Sequence, residues 1–196
     1  MLIRRIHYPI STLGPHQRLG IWTMGCSHGC SGCIAKDTWN FDQSKYVAVQ
    51  DILILAKDYF VQYACSSVTI SGGDPFFQTD LFELLEGLKK IGYTDILVYS
   101  GFTIEQLNEN QSYKRCLTYI DVLIDGLYIE ELNHNTPLRG SDNQKIIFLN
   151  DSLFKSYENI LKGSRSLEYV KNGSYIDIYG IVPKNFKKYW DELHKK

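Results

Sequence analysis

No stretch of the chain approaches the about 18 consecutive apolar residues that a membrane-spanning helix needs. Near the N-terminus, Arg4, Arg5 and His7 interrupt the apolar residues and no A-x-A site follows, so the pattern of a secretory leader is absent. Neither sign of charge dominates: 21 Lys and Arg face 22 Asp and Glu, for a net charge of −1. That balance excludes a polycation that binds nucleic acid nonspecifically. The short basic ends, Arg4-Arg5 and Lys187-Lys188 with Lys195-Lys196, read as solvated termini. Cysteine is scarce and odd in number, five in all, which argues against a disulfide scaffold. No low-complexity tract, fixed-period repeat or dividing linker is found. The expectation is a soluble, cytoplasmic protein, a single domain over 1–196, with no membrane and no nucleic-acid partner.

What is there is a globular composition, 44% hydrophobic and 22% charged. Short apolar runs alternate with segments of helical period. Leu19–Met24, Val68–Ser71, Ile96–Ser100, Tyr119–Ile124, Lys145–Leu149 and Tyr175–Val182 read as strands. Val47–Tyr63, Thr79–Ile91, a short segment from Thr103 to Asn108, and Ser152–Leu161 read as helices. Thr79 is a candidate N-cap and Gly92 a candidate stop. The alternation predicts α/β architecture with βαβ crossovers and a mostly parallel, curved sheet. About six strands are too few for a closed eight-stranded barrel. A truncated (β/α)6-type partial TIM barrel is therefore expected, a doubly wound sheet being the other solution. In open α/β sheets ligands bind at the carboxyl ends of the strands. Cys26, Gly72-Gly73-Asp74-Pro75, Ser100-Gly101 and Asp125-Gly126 each follow a predicted strand. The loop from Gly126 to Asn143 is long enough to be functional.

Three of the five cysteines fall within eight residues, in Met24-Gly-Cys26-Ser-His-Gly-Cys30-Ser-Gly-Cys33. Thiolates suit iron–sulfur clusters and zinc. Three on one loop can hold three corners of a cubane and leave the fourth iron open. Gly25, Gly29 and Gly32 give the loop room to wrap. Zinc with His28 as fourth ligand, a four-cysteine cluster completed by Cys65 or Cys116, and a plain structural loop are the alternatives. Cys65 and Cys116 otherwise read as small buried hydrophobes.

The C-x3-C-x2-C spacing after the first strand resembles the signature of the radical S-adenosylmethionine enzymes. Ser71-Gly72-Gly73-Asp74-Pro75 resembles their Gly-Gly-Glu-Pro motif, with Asp74 in place of Glu. Asp125-Gly126-Leu-Tyr-Ile129-Glu130-Glu131 and Leu138-Arg139-Gly140-Ser141-Asp142-Asn143-Gln144 resemble the activating proteins of anaerobic ribonucleotide reductases. Trp39-Asn40 fits the same group, and Ile178-Tyr-Gly180-Ile-Val-Pro183-Lys resembles their closing segment. Gly32 departs from the wider superfamily, where an aromatic residue often stands at that position and touches adenine.

The resemblance implies a 4Fe-4S cluster held by Cys26, Cys30 and Cys33, with S-adenosylmethionine as cosubstrate. It implies that Gly72, Gly73 and Asp74 meet the methionine end, and that Ser100 or Gly101 meets the ribose or carboxylate. Asp125 takes a polar role near the nucleoside, and Arg139 pairs with the methionine carboxylate or a partner chain. Asn143 and Gln144 brace the loop. His28 sits at the rim; His7, His16, His134 and His194 stand alone. The implied activity is radical activation of a large glycyl-radical subunit, with flavodoxin or ferredoxin as electron donor. A radical enzyme acting on a small molecule or peptide, and a non-catalytic zinc module, are the other readings.

Overall fold

A computed structural model describes residues 1–186; the expectations on His194 and on Lys187, Lys188, Lys195 and Lys196 lie outside them. The central element is a six-stranded sheet in the order β1-β2-β3-β4-β5-β6. Its strands are β1 (Ile3–Ile10), β2 (Arg18–Thr23), β3 (Ser67–Gly72), β4 (Asp95–Tyr99), β5 (Val122–Asp125) and β6 (Lys145–Phe148). Strands β2 to β5 run parallel. Both edges are antiparallel: β1 against β2 and β6 against β5. Helix α1 (Val49–Tyr63) connects β2 to β3, α2 (Leu81–Ile91) connects β3 to β4, and α3 (Ile104–Glu109) with α4 (Gln111–Leu117) connects β4 to β5. The sheet is thus mixed and mostly parallel, with three helical crossovers among the described residues where the expected (β/α)6 pattern implies more.

Alternation along each strand splits the core into two faces. Leu19, Ile21, Val68, Ile70, Ile96, Val98 and Leu123 point one way, against Ile52 and Ala56 of α1 and Leu84, Leu85 and Leu88 of α2. Leu97, Val122 and Ile124 point the other way, against Tyr157 of α5 (Phe154–Lys162). Burial on both faces is what parallel strands require, and it explains why they read as apolar runs. Removing such side chains from water stabilises by about 1.5–3 kcal/mol each.

Beyond α5 a second, two-stranded sheet pairs β7 (Glu168–Asn172) with β8 (Tyr175–Tyr179). It packs on the β1 edge: Tyr179 stacks on His7 with ring centroids 4.3 Å apart, and Arg5 Nη2 lies 2.7 Å from Asp177 Oδ1. Ser11 Oγ also donates to the Glu168 carboxylate. His7 is therefore an aromatic partner and does not stand alone, and His134 Nδ1 likewise lies 2.8 Å from Asp142 Oδ2.

Several boundaries differ from expectation for identifiable reasons. β1 escapes the periodicity test because its pairing is irregular between Ile3 and Arg5 and between His7 and Ile10, which breaks the two-residue alternation. Asp80, not Thr79, precedes α2, and its carboxylate takes the Met1 ammonium at 3.1 Å. Gly92 stops that helix as expected, its N–H donating back to Leu88 O and Lys89 O. Thr103 closes a reciprocal capping box with Gln106 at the start of α3.

Candidate iron–sulfur site

The cysteine loop leaves the end of β2 and is tied down at both of its roots. Gly25 N donates to Thr38 O at 2.7 Å and Cys26 N to Trp39 O at 3.0 Å. Cys33 N turns back onto Cys30 O at 3.2 Å. Cys26, Cys30 and Cys33 all line one cavity of about 560 Å³, together with Ser71, Gly72, Gly73, Ser100 and Gly101. Residues as many as 75 positions apart in sequence thus meet at the carboxyl ends of β2, β3 and β4, where an open α/β sheet binds ligands.

The three cysteines are reduced and half-buried. Burial pushes the Cys26 thiol up to about 11, and it raises Cys30 as well, partly offset by the backbone of Tyr128. Ligation would draw the protons off the thiols. Among the described residues no three of His, Cys, Asp and Glu surround a single point as one metal ion requires. A cubane spreads its corners over separate irons and fits three thiols set apart along one loop. His28, the fourth ligand that zinc would need, is otherwise engaged. Its Nε2 lies 2.7 Å from Asp74 Oδ2, and its ring packs against Phe77 and Phe102. Cys65 and Cys116 sit in the main core, where neither reaches the cavity.

The Gly-Gly-Asp-Pro turn has a structural reason of its own. A Cβ on Gly72, at φ +107°, would meet Thr23 O at 2.3 Å, and one on Gly73 would meet Gly25 O at 2.5 Å. The two glycines let the end of β3 press on the root of the cysteine loop. Gly73 N then donates to Thr23 O at 2.9 Å and Asp74 N to Gly25 O at 3.1 Å.

Asp74 lines no part of the cavity: its side chain is fully buried and directed inward. Its carboxylate accepts from Phe76 N at 2.9 Å, Gly101 N at 2.7 Å and Ser100 Oγ at 3.0 Å, besides facing His28. It is the hub that fixes the cysteine loop, the turn after β3 and the turn after β4 relative to one another. The Asp74 carboxylate is thus an internal brace, while Gly72 and Gly73 of the same turn line the cavity.

Two further candidates are placed elsewhere. Asp125, 2% exposed, accepts Lys145 N at 3.1 Å on Oδ1 and Ile104 N at 2.8 Å on Oδ2, so its carboxylate is spent on backbone and does not line the cysteine cavity. Arg139 donates to Gln144 O at 2.9 Å and also stands outside the cavity wall. Asp125 is held by the backbone of α3 and β6, and Arg139 by the loop between β5 and β6, which folds back on itself. Gln144 donates to Gly126 O at 2.8 Å and accepts Gly140 N at 2.8 Å, while Asn143 donates to Leu127 O at 2.8 Å. The braced loop presents Tyr128, Glu130 and Asn133 to the cavity. Glu130 packs over Gly32, where a Cβ would meet its carboxylate at 2.4 Å. Those residues, and Trp22 and Tyr99 on the strands, were not singled out from sequence. The length of the loop pointed to the first three, and Tyr128 and Glu130 also lie in the quoted Asp125–Glu131 motif.

A carboxyl-end cavity carrying three thiols defines an α/β iron–sulfur domain, and residues 12–147 match the family described as 4Fe-4S single cluster domain. Similar proteins carry the name anaerobic ribonucleoside-triphosphate reductase-activating protein. That of Vibrio cholerae is 31% identical over 147 residues, covering 71% of this chain and 94% of its own. The Haemophilus influenzae protein is 32% identical over 149 residues, covering 71% and 94%. That of Enterobacteria phage T4 is 30% identical over 146 residues, covering 72% and 90%. The chain belongs to the family of anaerobic ribonucleoside-triphosphate reductase-activating proteins. The family match stops at 147, so the likeness read at Ile178–Lys184 is not carried by it.

Proposed function

We propose that this chain is a radical S-adenosylmethionine enzyme that installs a glycyl radical on an anaerobic ribonucleotide reductase. The single observation that supports the reading best is the convergence of Cys26, Cys30 and Cys33 with Gly72-Gly73 and Ser100-Gly101 on one cavity. On this reading the sheet is an open, truncated barrel, and the open side admits a loop of a macromolecular partner. No helix among the described residues is long and apolar enough to cross a membrane.

The three thiols would hold the 4Fe-4S cluster as thiolates. When bound and reduced, the cluster would supply the one electron that splits the sulfonium of S-adenosylmethionine into methionine and a 5′-deoxyadenosyl radical, and that radical would take a hydrogen atom from the partner's glycine Cα. The chain's own residues orient and exclude. Asp74 holds Ser100, Gly101 N and the His28 ring in one network, so the turns around the ligand are fixed before it arrives. Gly72 and Gly73 keep the β3 end flush with the cysteine loop. Leu13, Trp22, Tyr99, Ile181 and Val182 give the cavity apolar walls that displace water. A flavodoxin or ferredoxin would supply the electron.

The test is anaerobic reconstitution with iron and sulfide, reduction with dithionite, and assay of 5′-deoxyadenosine from S-adenosylmethionine. Cys30→Ala should abolish product. Adding an anaerobic reductase should yield a glycyl-radical signal by electron paramagnetic resonance. Iron-loaded protein giving neither product nor radical would sink the reading. Product without a radical on the reductase would move the target to a small molecule or peptide.

A further inference from the structure

Residues 148–186 lie beyond the matched family region, yet their last segment, Gly180 to Phe186, forms one wall of the cysteine cavity. Its course is set by Arg165, whose guanidinium is spent on oxygen atoms of three segments. Nη1 donates to Val182 O at 2.9 Å, Nη2 to Arg139 O at 2.6 Å and Gly140 O at 2.9 Å, and Nε to Thr136 O at 3.0 Å. Asn135, at φ +64°, accepts Lys184 N on Oδ1 at 2.8 Å. The wall is thereby fastened to the loop between β5 and β6 at two points, one on either side of Pro183.

The fastening brings Lys184 onto the cavity wall. Lys36 and Lys184 are the lysine and arginine residues among the described lining residues. Lys36 is exposed and lies over the Trp39 ring, 5.7 Å from its centroid. Lys184 is half-buried, and no carboxylate pairs with it among the described residues. Arg139, the cation expected from sequence to meet a carboxylate, stands outside the cavity. A half-buried lysine on the wall of the cysteine cavity, with no carboxylate partner among the described residues, is poised for an anionic group.

We propose that Lys184 is the cation that binds the carboxylate of an amino-acid-bearing ligand in this cavity, and that Arg165 is a positioning residue for it. The proposal rests on the reading that the cavity takes S-adenosylmethionine, whose amino-acid end carries that carboxylate. It assigns to the C-terminal segment a part in ligand binding that the matched region does not supply.

The experiment is equilibrium dialysis of the anaerobically reconstituted full chain against two probes. S-adenosylhomocysteine carries the carboxylate; 5′-methylthioadenosine has the nucleoside and no carboxylate. Lys184→Ala should weaken the first about tenfold, the effect of one charge-assisted hydrogen bond, and leave the second unchanged. Lys184→Arg should retain most of the affinity. Arg165→Gln should also weaken S-adenosylhomocysteine, and in the double variant the losses should fall short of additive. Iron content and thermal midpoint, measured alongside, separate binding from folding. Equal effects on both probes, or none on either, would overturn the role of Lys184. Arg165→Gln that lowers the midpoint and leaves both affinities intact would overturn the positioning role. Failure of the unaltered, iron-loaded chain to bind either probe would overturn the cosubstrate reading itself, an outcome distinct from equal binding by the unaltered chain and Lys184→Ala.

Discussion

Two buried carboxylates, Asp95 and Asp74, stand near opposite ends of the parallel strands. Asp95 opens β4 and is 4% exposed; it meets Arg18, itself fully buried, with Nη2 to Oδ1 at 3.1 Å. Arg18 also donates to Thr69 Oγ1 and Val68 O, each at 2.8 Å, and Tyr157 of α5 donates to Asp95 Oδ1 at 2.7 Å. Asp74 follows β3 and gathers Ser100, Gly101 and His28 beside the cysteine cavity. Both are satisfied groups in a medium that penalises any unpaired one. The first joins β2, β3, β4 and α5 at the end of the sheet remote from the cysteines and lines no cavity. The second joins three loops whose outer surfaces do. A buried charge network by itself therefore says nothing about function; its place along the strands does.

The largest expected effect is on the architectural network. Asp95→Ala leaves Arg18 buried and unpaired and should cost about 3–5 kcal/mol, read as a lowered denaturation midpoint. Protein that still folds should reconstitute iron normally. A loss of iron content out of proportion to stability would erase the contrast between the two ends.

Asp74→Ala should cost about 1–3 kcal/mol by orphaning the Ser100 hydroxyl and Gly101 N–H. Here iron retention and nucleoside binding should fall more than stability does. Gly72→Ala should cost about 1–3 kcal/mol of backbone strain, because the added Cβ meets Thr23 O and φ is positive. Its signature should be a displaced cysteine loop, seen as lower iron content per chain with the sheet intact by circular dichroism. Tyr157→Phe, the mildest change, should cost about 1–2 kcal/mol by removing one donor to Asp95, with cluster loading unaffected. An equal loss of iron in Asp95→Ala and Asp74→Ala would show that the two networks are one.

Much of this was legible in the residues. The cysteine spacing, the Gly-Gly turn and the apolar runs of β2 to β5 are local signals, and the topology carried them to one edge. Asp74 was found by its place after a strand, and only the structure shows its carboxylate turned inward. Motif position does not reveal which way a side chain turns, and four inward donors or ring contacts turned this one. Asp125 was taken up by the backbone of α3 and β6, and Arg139 by the fold of the loop in which it sits. Arg18 was not singled out at all, since an arginine in a strand reads as an exposed edge residue until its partner, 77 positions away, is known.

Sequence alone determined the order of the strands from β2 to β6, the grouping of three thiols on one loop and the glycines at the β3 end, because each depends on neighbours within a few positions. Tertiary structure decided the antiparallel edges, the pairing of Arg18 with Asp95, the inward turn of Asp74 and the arrival of Lys184 at the cavity wall. Those outcomes depend on groups tens of residues apart that meet only after the chain has closed its core, where leaving a buried polar atom unpaired is costly.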